Sequence, residues 1–259
     1  VGRQIHNDGG PVLSAWVTAF PLAGLVAHGR EGDVIRFLDW MQGEGFTGGR
    51  VLSCWGYTGN ESLRFTPQEG LAALPRTLEL FKERGMYGMP VGLVDTTKWN
   101  IDWPAHLRKV GDICAAAGMP LESAQEVPHE TQHDDAGDWA TAYKPPAGVL
   151  YCQGSVHAAN DCSKALAGGG FICSHVLRKV DQVPRHHKVA DTFHPMGKPF
   201  ISMEPDKGMD VATWYNVGKT CRSREMGCCF HGSGVLYGQV PTGQELDGAR
   251  AMLRGLRGQ

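Results

Sequence analysis

The sequence predicts an α/β fold, a single (β/α)8 barrel over residues 1–259, and three observations predict it. Short, strongly apolar runs alternate with amphipathic stretches along the whole chain, giving eight strand–helix pairs. The runs are apolar almost throughout, as suits parallel strands buried on both faces, and parallel strands need crossover helices. The length of 259 residues is that of one α/β barrel, although length alone would also allow two domains. An open doubly wound sheet is the competing architecture. No G-x-G-x-x-G follows the first strand, so its dinucleotide-binding form lacks support. Neither an internal repeat nor a linker interrupts the pattern.

Pro11 to Phe20 reads as the first strand. Asp33 to Gly45 reads as a helix with Val34, Ile35, Leu38 and Met41 on one face. Arg50 to Trp55 is the second strand, reached through Gly48-Gly49. Thr66-Pro67-Gln68-Glu69 then starts a helix as a capping box. The Thr oxygen and the Glu carboxylate satisfy backbone N–H groups that the first turn leaves orphaned. Leu71, Leu74, Leu78 and Phe81 follow at helical spacing, and Gly85 ends the helix. Met89 to Val94 is the third strand, Pro104 to Ala117 a helix, and Leu121 to Val127 the fourth strand. Val149 to Cys152 is the fifth, with a weak helix over Ala158 to Leu166. Phe171 to Ser174 is the sixth, before a helix over Asp181 to Phe193. Phe200 to Met203 is the seventh, before a helix near Val211 to Glu225. Cys228 to Phe230 is the eighth, and Glu245 to Leu256 closes the chain as a helix.

Composition excludes some partners. A formal net charge of -2 gives no broad basic surface for nucleic acid. No apolar run is long enough to cross a membrane. The start, Val1-Gly2-Arg3, carries no signal-peptide pattern and no initiator Met, which fits a processed chain or a domain excised from a longer one. The eight cysteines include no C-x-x-C pair, and Cys54, Cys152 and Cys173 lie in strand-like runs. They read as buried free thiols rather than a disulfide framework or a zinc site, and they leave the compartment open.

In such barrels the active site sits at the C-terminal ends of the strands. The fourth strand leads into Glu126-Val127-Pro128-His129-Glu130-Thr131, and the seventh ends in Met203-Glu204-Pro205. Strands four and seven face each other across the barrel mouth, so Glu130 and Glu204 can flank one ligand. Glycoside hydrolysis needs such a pair, one carboxyl group to protonate the leaving oxygen and one to attack or shield the anomeric carbon. In retaining enzymes the two stand about 5–5.5 Å apart. Glu126 reads as structural at the mouth and Glu122 as part of an ion pair in the core or lower rim. Trp55, directly after the second strand, is the best aromatic platform for a sugar ring among Trp16, Trp55, Trp99, Trp103, Trp139 and Trp214. Asp95, at the end of the third strand, can bind a hydroxyl or cap its loop. Arg178 can reach the cleft or stay solvated.

Eleven histidines raise a metal reading. His129, His157, His175 and His231 fall near strand ends, where imidazoles can bind zinc. The first strand offers Trp16-Val17-Thr18 where amidohydrolase-like barrels have H-x-H, so these histidines read better as hydrogen-bonding sugar hydroxyls and the two glutamates. His186-His187 lie in a helix and read as exposed.

On these residues the chain resembles the clan A glycoside hydrolases, the cellulase and β-galactosidase type of barrel. The run from Glu126 to Thr131 is similar to the clan's E-L-x-N-E-P, and Lys198-Pro199-Phe200-Ile201-Ser202-Met203-Glu204 to its seventh strand. The resemblance implies Glu130 as acid/base and Glu204 as nucleophile. Asp8-Gly9-Gly10-Pro11-Val12 resembles the lead into the first strand. Arg50 resembles the second-strand arginine that keeps the nucleophile ionised. Three positions depart from the clan pattern. His129 stands where the clan has Asn, His175 where it often has Tyr, and Phe230-His231-Gly232 where a Trp usually floors the site.

The expectation is therefore a retaining glycosidase acting on an oligosaccharide or polysaccharide, with no metal or organic cofactor. Glu130 and Glu204 are its catalytic pair, and Arg50, Trp55, Asp95, His129, His175 and His231 its substrate-binding side chains. A non-catalytic carbohydrate-binding barrel on a larger cell-surface or virion assembly is the second expectation, and a metal-dependent barrel hydrolase the third. An extracellular or virion-associated location is compatible with the first two. The sequence leaves the sugar, its anomeric configuration and the oligomeric state open.

Overall fold

The computed structural model describes residues 4–7, 9–56, 61–94, 99–124, 143–152, 155–157, 169–176 and 178–259. A short antiparallel hairpin, β1 (His6–Asn7) and β2 (Gly10–Pro11), precedes the main sheet. The main sheet runs β3 (Ala15–Thr18), β4 (Gly48–Leu52), β5 (Tyr87–Leu93), β6 (Leu121–Ala124), β7 (Tyr151–Cys152), β8 (Ser155–His157), β9 (Ile172–His175), β10 (Phe200–Met203) and β11 (Gly227–Phe230). Its spatial order is β7-β6-β5-β4-β3-β11-β10-β9-β8, and every pairing is parallel. The two edges, β7 and β8, are consecutive pieces of the fifth strand. The sheet therefore curls round to meet itself as a nearly closed eight-stranded barrel.

The expected first strand, Pro11 to Phe20, divides in two. Pro11 pairs back to His6, and β3 begins only at Ala15. A tight bend separates them, with the Ala15 N–H on the Leu13 carbonyl at 3.0 Å and also 3.1 Å from Thr47 Oγ1.

Helices α1 (Leu22–Ala27), α2 (Glu31–Glu44), α3 (Pro67–Lys82), α4 (Trp103–Ala117), α5 (Gln182–Phe193), α6 (Val211–Ser223), α7 (Ser233–Leu236) and α8 (Gly243–Arg257) wrap the sheet. The capping box forms as expected. The Thr66 N–H donates to Glu69 Oε2 at 2.7 Å, and the Glu69 N–H to Thr66 Oγ1 at 3.1 Å. Gly45 ends α2 at φ 87°, a conformation that costs glycine little. The weak helix expected over residues 158–166 lies outside the described residues.

Two apolar layers follow from the strand period of two. Trp16, Met89, Cys152, Phe171, Cys173, Ile201, Met203 and Cys229 fill the barrel interior. Their strand neighbours Val17, Ile172, Phe200, Cys228 and Phe230 face outward to the helices, in a larger layer with Leu38, Leu78 and Leu107. Gly48 makes room for Trp16, since a Cβ there would lie 2.7 Å from the Tyr87 carbonyl and 3.0 Å from the indole.

Candidate active site around Glu204

Glu204 follows β10 and turns the chain sharply. Its φ of 46° lies in the left-handed region, which costs a non-glycine residue of order 1 kcal/mol or more. The turn places a carboxylate that is only 3% exposed at the C-terminal end of the barrel. Four cationic or imidazole side chains surround it, from three segments of the chain.

Arg50, fully buried on β4, lies inside the wall between two carboxylates. Its Nε and Nη2 donate to Glu122 Oε2 and Oε1 at 2.5 and 2.6 Å, a bidentate pair. Its Nη1 donates to Glu204 Oε1. The guanidinium also lies over the Phe20 ring, 5.1 Å from its centroid. One fixed cation between two buried carboxylates leaves neither charge unpaired, and the planar fork of arginine suits it to this bridge. Burial works against the charge on Arg50, but Glu122 and Glu204 outweigh it and hold its pKa well above the usual value.

His175, ending β9, points Nε2 at Glu204 Oε1 from 3.4 Å. Arg178, in the loop beyond β9, donates from Nη2 to Glu204 Oε2 at 2.5 Å with its side chain 49% exposed. The next residue, Lys179, has φ 59°, and its N–H donates to Asp206 Oδ2 at 2.9 Å. This bond ties the Arg178 loop to the loop after Glu204. His231, after β11, is buried with Nδ1 3.1 Å from Thr18 Oγ1, and Thr18 also contacts Cys229 Sγ at 3.4 Å.

The electrostatic outcome is an ionised carboxylate. Burial pushes the Glu204 carboxyl up, but His175, Arg50, His231 and Arg178 together bring it down to about 2. Burial lowers His231 to about 4, against the pull of Glu204, so this imidazole is neutral at pH 7.

Among the other expected site residues, Glu130, His129 and Asp95 lie outside the described residues. Of His157 the backbone is described, in register with His175 on the neighbouring strand. Trp55 requires a correction. It is 3% exposed, packed edge-on against Phe20 and Tyr237, and its backbone bridges Phe65. A ring covered on these sides offers no open face to a sugar; Trp55 is a core side chain that closes the second loop onto the barrel. His186 also departs from expectation. It is fully buried, because the inward stripe of α5 runs Gln182, His186, Val189, Ala190 and Phe193, leaving His187 on another face. Glu122 was expected as an ion-paired core residue, but nothing in the sequence linked it to Arg50. Arg178 was expected either to reach the site or to stay solvated, and it reaches Glu204.

No protein-family model and no curated protein sequence matches the chain. Solved structures do. The chain superposes on an exo-β-1,4-mannosidase from an Opitutaceae bacterium with a TM-score of 0.70 at 13% identity, over 98% of this chain and 62% of that one. A family 5 glycoside hydrolase from Bacteroides vulgatus gives 0.64 at 13% identity, over 91% and 61%. An endo-β-1,4-mannanase from Thermotoga petrophila gives 0.56 at 12% identity, over 98% and 79%. The chain thus spans about three fifths of the first two proteins. At these identities the likeness shows the fold, a (β/α)8 barrel shared with these enzymes.

Proposed function

We propose that the chain is a retaining glycoside hydrolase with Glu204 as nucleophile and Glu130 as acid/base. The observation that carries the proposal is the state of Glu204: a carboxylate at the end of the seventh barrel strand, almost wholly buried, yet ionised because His175, Arg50, His231 and Arg178 surround it. A nucleophile that must attack an anomeric carbon needs this combination of charge and exclusion from water. The neighbours in fold are described as glycoside hydrolases, two of them acting on β-1,4-mannosides, and this supports the class.

The chemistry assigned to these residues runs in two displacements. Glu130 gives its proton to the glycosidic oxygen while Glu204 attacks the anomeric carbon, forming a glycosyl ester and releasing the leaving group. Glu130, now a carboxylate, takes a proton from water as the water attacks the ester, which returns Glu204 as the leaving carboxylate. This requires the two carboxyl groups to stand about 5–5.5 Å apart. With Oε1 held by Arg50, Oε2 is the oxygen left for attack, and Arg178 sits on it. Sugar binding must therefore lift the Arg178 guanidinium off Oε2, which its half-exposed position on a loop permits.

Turnover of aryl β-mannosides, β-glucosides and related aryl glycosides tests the class. Glu204→Gln is expected to abolish turnover on every substrate, since an amide cannot form the ester. Glu130→Ala is expected to keep the first step with activated leaving groups, stall at hydrolysis and be rescued by azide, giving a glycosyl azide of retained configuration. Wild-type rates in both variants would show that the pair is misassigned. The Arg178 contact on Oε2 also suits a second reading, a carbohydrate-binding barrel without turnover. Oligosaccharide binding in the cleft with no hydrolysis of any glycoside tried would favour that reading.

A further inference from the structure

A second cluster of reactive side chains lies behind the barrel wall, away from the mouth. On β11 the side chains alternate, so Cys229 enters the interior with Trp16 and Met203 while Cys228 faces the helices. Ser202 on β10 is buried and its Oγ meets His186, which α5 supplies. Helix α6 adds Cys221. The donor atoms of His186, Cys221 and Cys228 all lie within 4.8 Å of one another, and all three residues are buried.

The imidazole is already set for a ligand's role. His186 Nδ1 lies 2.7 Å from the Gln182 carbonyl, and a carbonyl only accepts, so Nδ1 carries the hydrogen. Nε2 therefore keeps its lone pair, and it points at Ser202 Oγ, 2.9 Å away. Fixing one ring nitrogen on a backbone carbonyl is how proteins orient a metal-binding histidine.

We propose that His186 Nε2, Cys221 Sγ and Cys228 Sγ bind a structural zinc ion, with the Ser202 hydroxyl oxygen as the fourth ligand. The donor set favours a thiophilic cation and disfavours magnesium or calcium, which require oxygen cages. Charge favours it too. When Zn²⁺ enters, both thiols lose their protons to solvent and two Zn–S bonds and one Zn–N bond form. The dication and two thiolates sum to zero, so the apolar layer holds no net charge. Bonds of about 2.0–2.3 Å in a tetrahedron place ligand atoms roughly 3.3–3.8 Å apart, so the three side chains close by up to about 1 Å on binding. The ion would clamp α5 and α6 onto β10 and β11, the strand that carries Glu204 and its neighbour. It lies outside the barrel wall, and the proposal does not depend on the glycosidase reading.

The test uses the full chain, expressed in zinc-supplemented medium, purified without chelator and dialysed, with metal measured by inductively coupled plasma mass spectrometry. About one zinc per chain is expected, and a Tm that falls with a strong chelator and recovers with zinc. C221S, C228S and H186Q should each lose the ion, while C114S, which removes a buried thiol elsewhere, should keep it. Cobalt substituted for zinc should give thiolate-to-metal charge-transfer absorption in the wild type and in C114S. Less than about a tenth of an equivalent in zinc-replete wild type, with a Tm indifferent to zinc and chelator, would overturn the proposal. So would unchanged metal in the ligand variants, or a Cys221–Cys228 disulfide in freshly purified protein. The wild-type measurements decide the matter even where a variant fails to fold.

Discussion

Arg50 joins two carboxylates that lie 72 and 154 residues away in sequence, as a buried guanidinium hydrogen-bonded to both. Arg50→Ala leaves both carboxylates buried without their cation. Removing one partner from a buried ion pair typically costs about 3–5 kcal/mol, so the variant should show a large drop in its urea midpoint as well as lost activity. Arg178→Ala removes a half-exposed partner from the opposite oxygen. Its expected effect on stability is small, because solvent screens the guanidinium. With Arg50 still in place Glu204 stays ionised at pH 7, so kcat/KM for an activated aryl glycoside should stay within about tenfold of wild type. Equal losses in the two variants, by urea titration and by kcat/KM, would show that Arg178 is as structural as Arg50.

Helix α3 shows how much a few local residues can specify. Its start is fixed by the reciprocal Thr66–Glu69 bonds and by a proline that has no N–H to lose, and its inward face is buried from Leu74 to Phe81. Thr66→Ala should lower stability by about 1 kcal/mol, read from the urea midpoint, with turnover untouched because the cap is not part of the Glu204 site. The strands behave differently. β10 is four residues long and unremarkable as a segment, yet its inward Met203 packs in the barrel, its outward Ser202 meets His186, and the next residue is Glu204. One short strand therefore serves three environments, because its neighbours in the sheet fix which way each side chain points.

At the scale of the whole molecule, acid should weaken the fold before it neutralises the site. His106 and His231 are both buried, and burial lowers each from an ordinary 6.5 to about 4. The unfolded chain then binds protons between pH 6.5 and 4 that the folded chain does not, so their contribution to stability is complete above 6.5 and is lost as pH falls toward 4. Glu204 acts lower down: its stabilisation is present above 4.5 and is lost as pH falls toward about 2. Urea midpoints measured from pH 7 to 4 should therefore fall, and His106→Gln, with its partner Ser53 across from α4, should flatten part of that slope. A midpoint that stays level across this range would show that both imidazoles protonate freely in the folded chain.

The sequence by itself determined the order of the described strands, the capping box and the seventh-strand end that carries Glu204, because propensity, capping and side-chain period are encoded within a few residues of each other. It also suggested Arg50 as a support for Glu204, through resemblance to a clan of barrels. What it left undecided depends on closure. Trp55 reads as a sugar platform until Phe20 and Tyr237 are placed against it, and His186 reads as exposed until the rotation of α5 turns it toward β10. The Arg50 bridge, the Arg178 contact on Oε2 and the thiol–imidazole cluster each join segments distant in sequence. Only the register of the closed barrel brings those segments together, since a shift of one residue in any strand would exchange its inner and outer side chains.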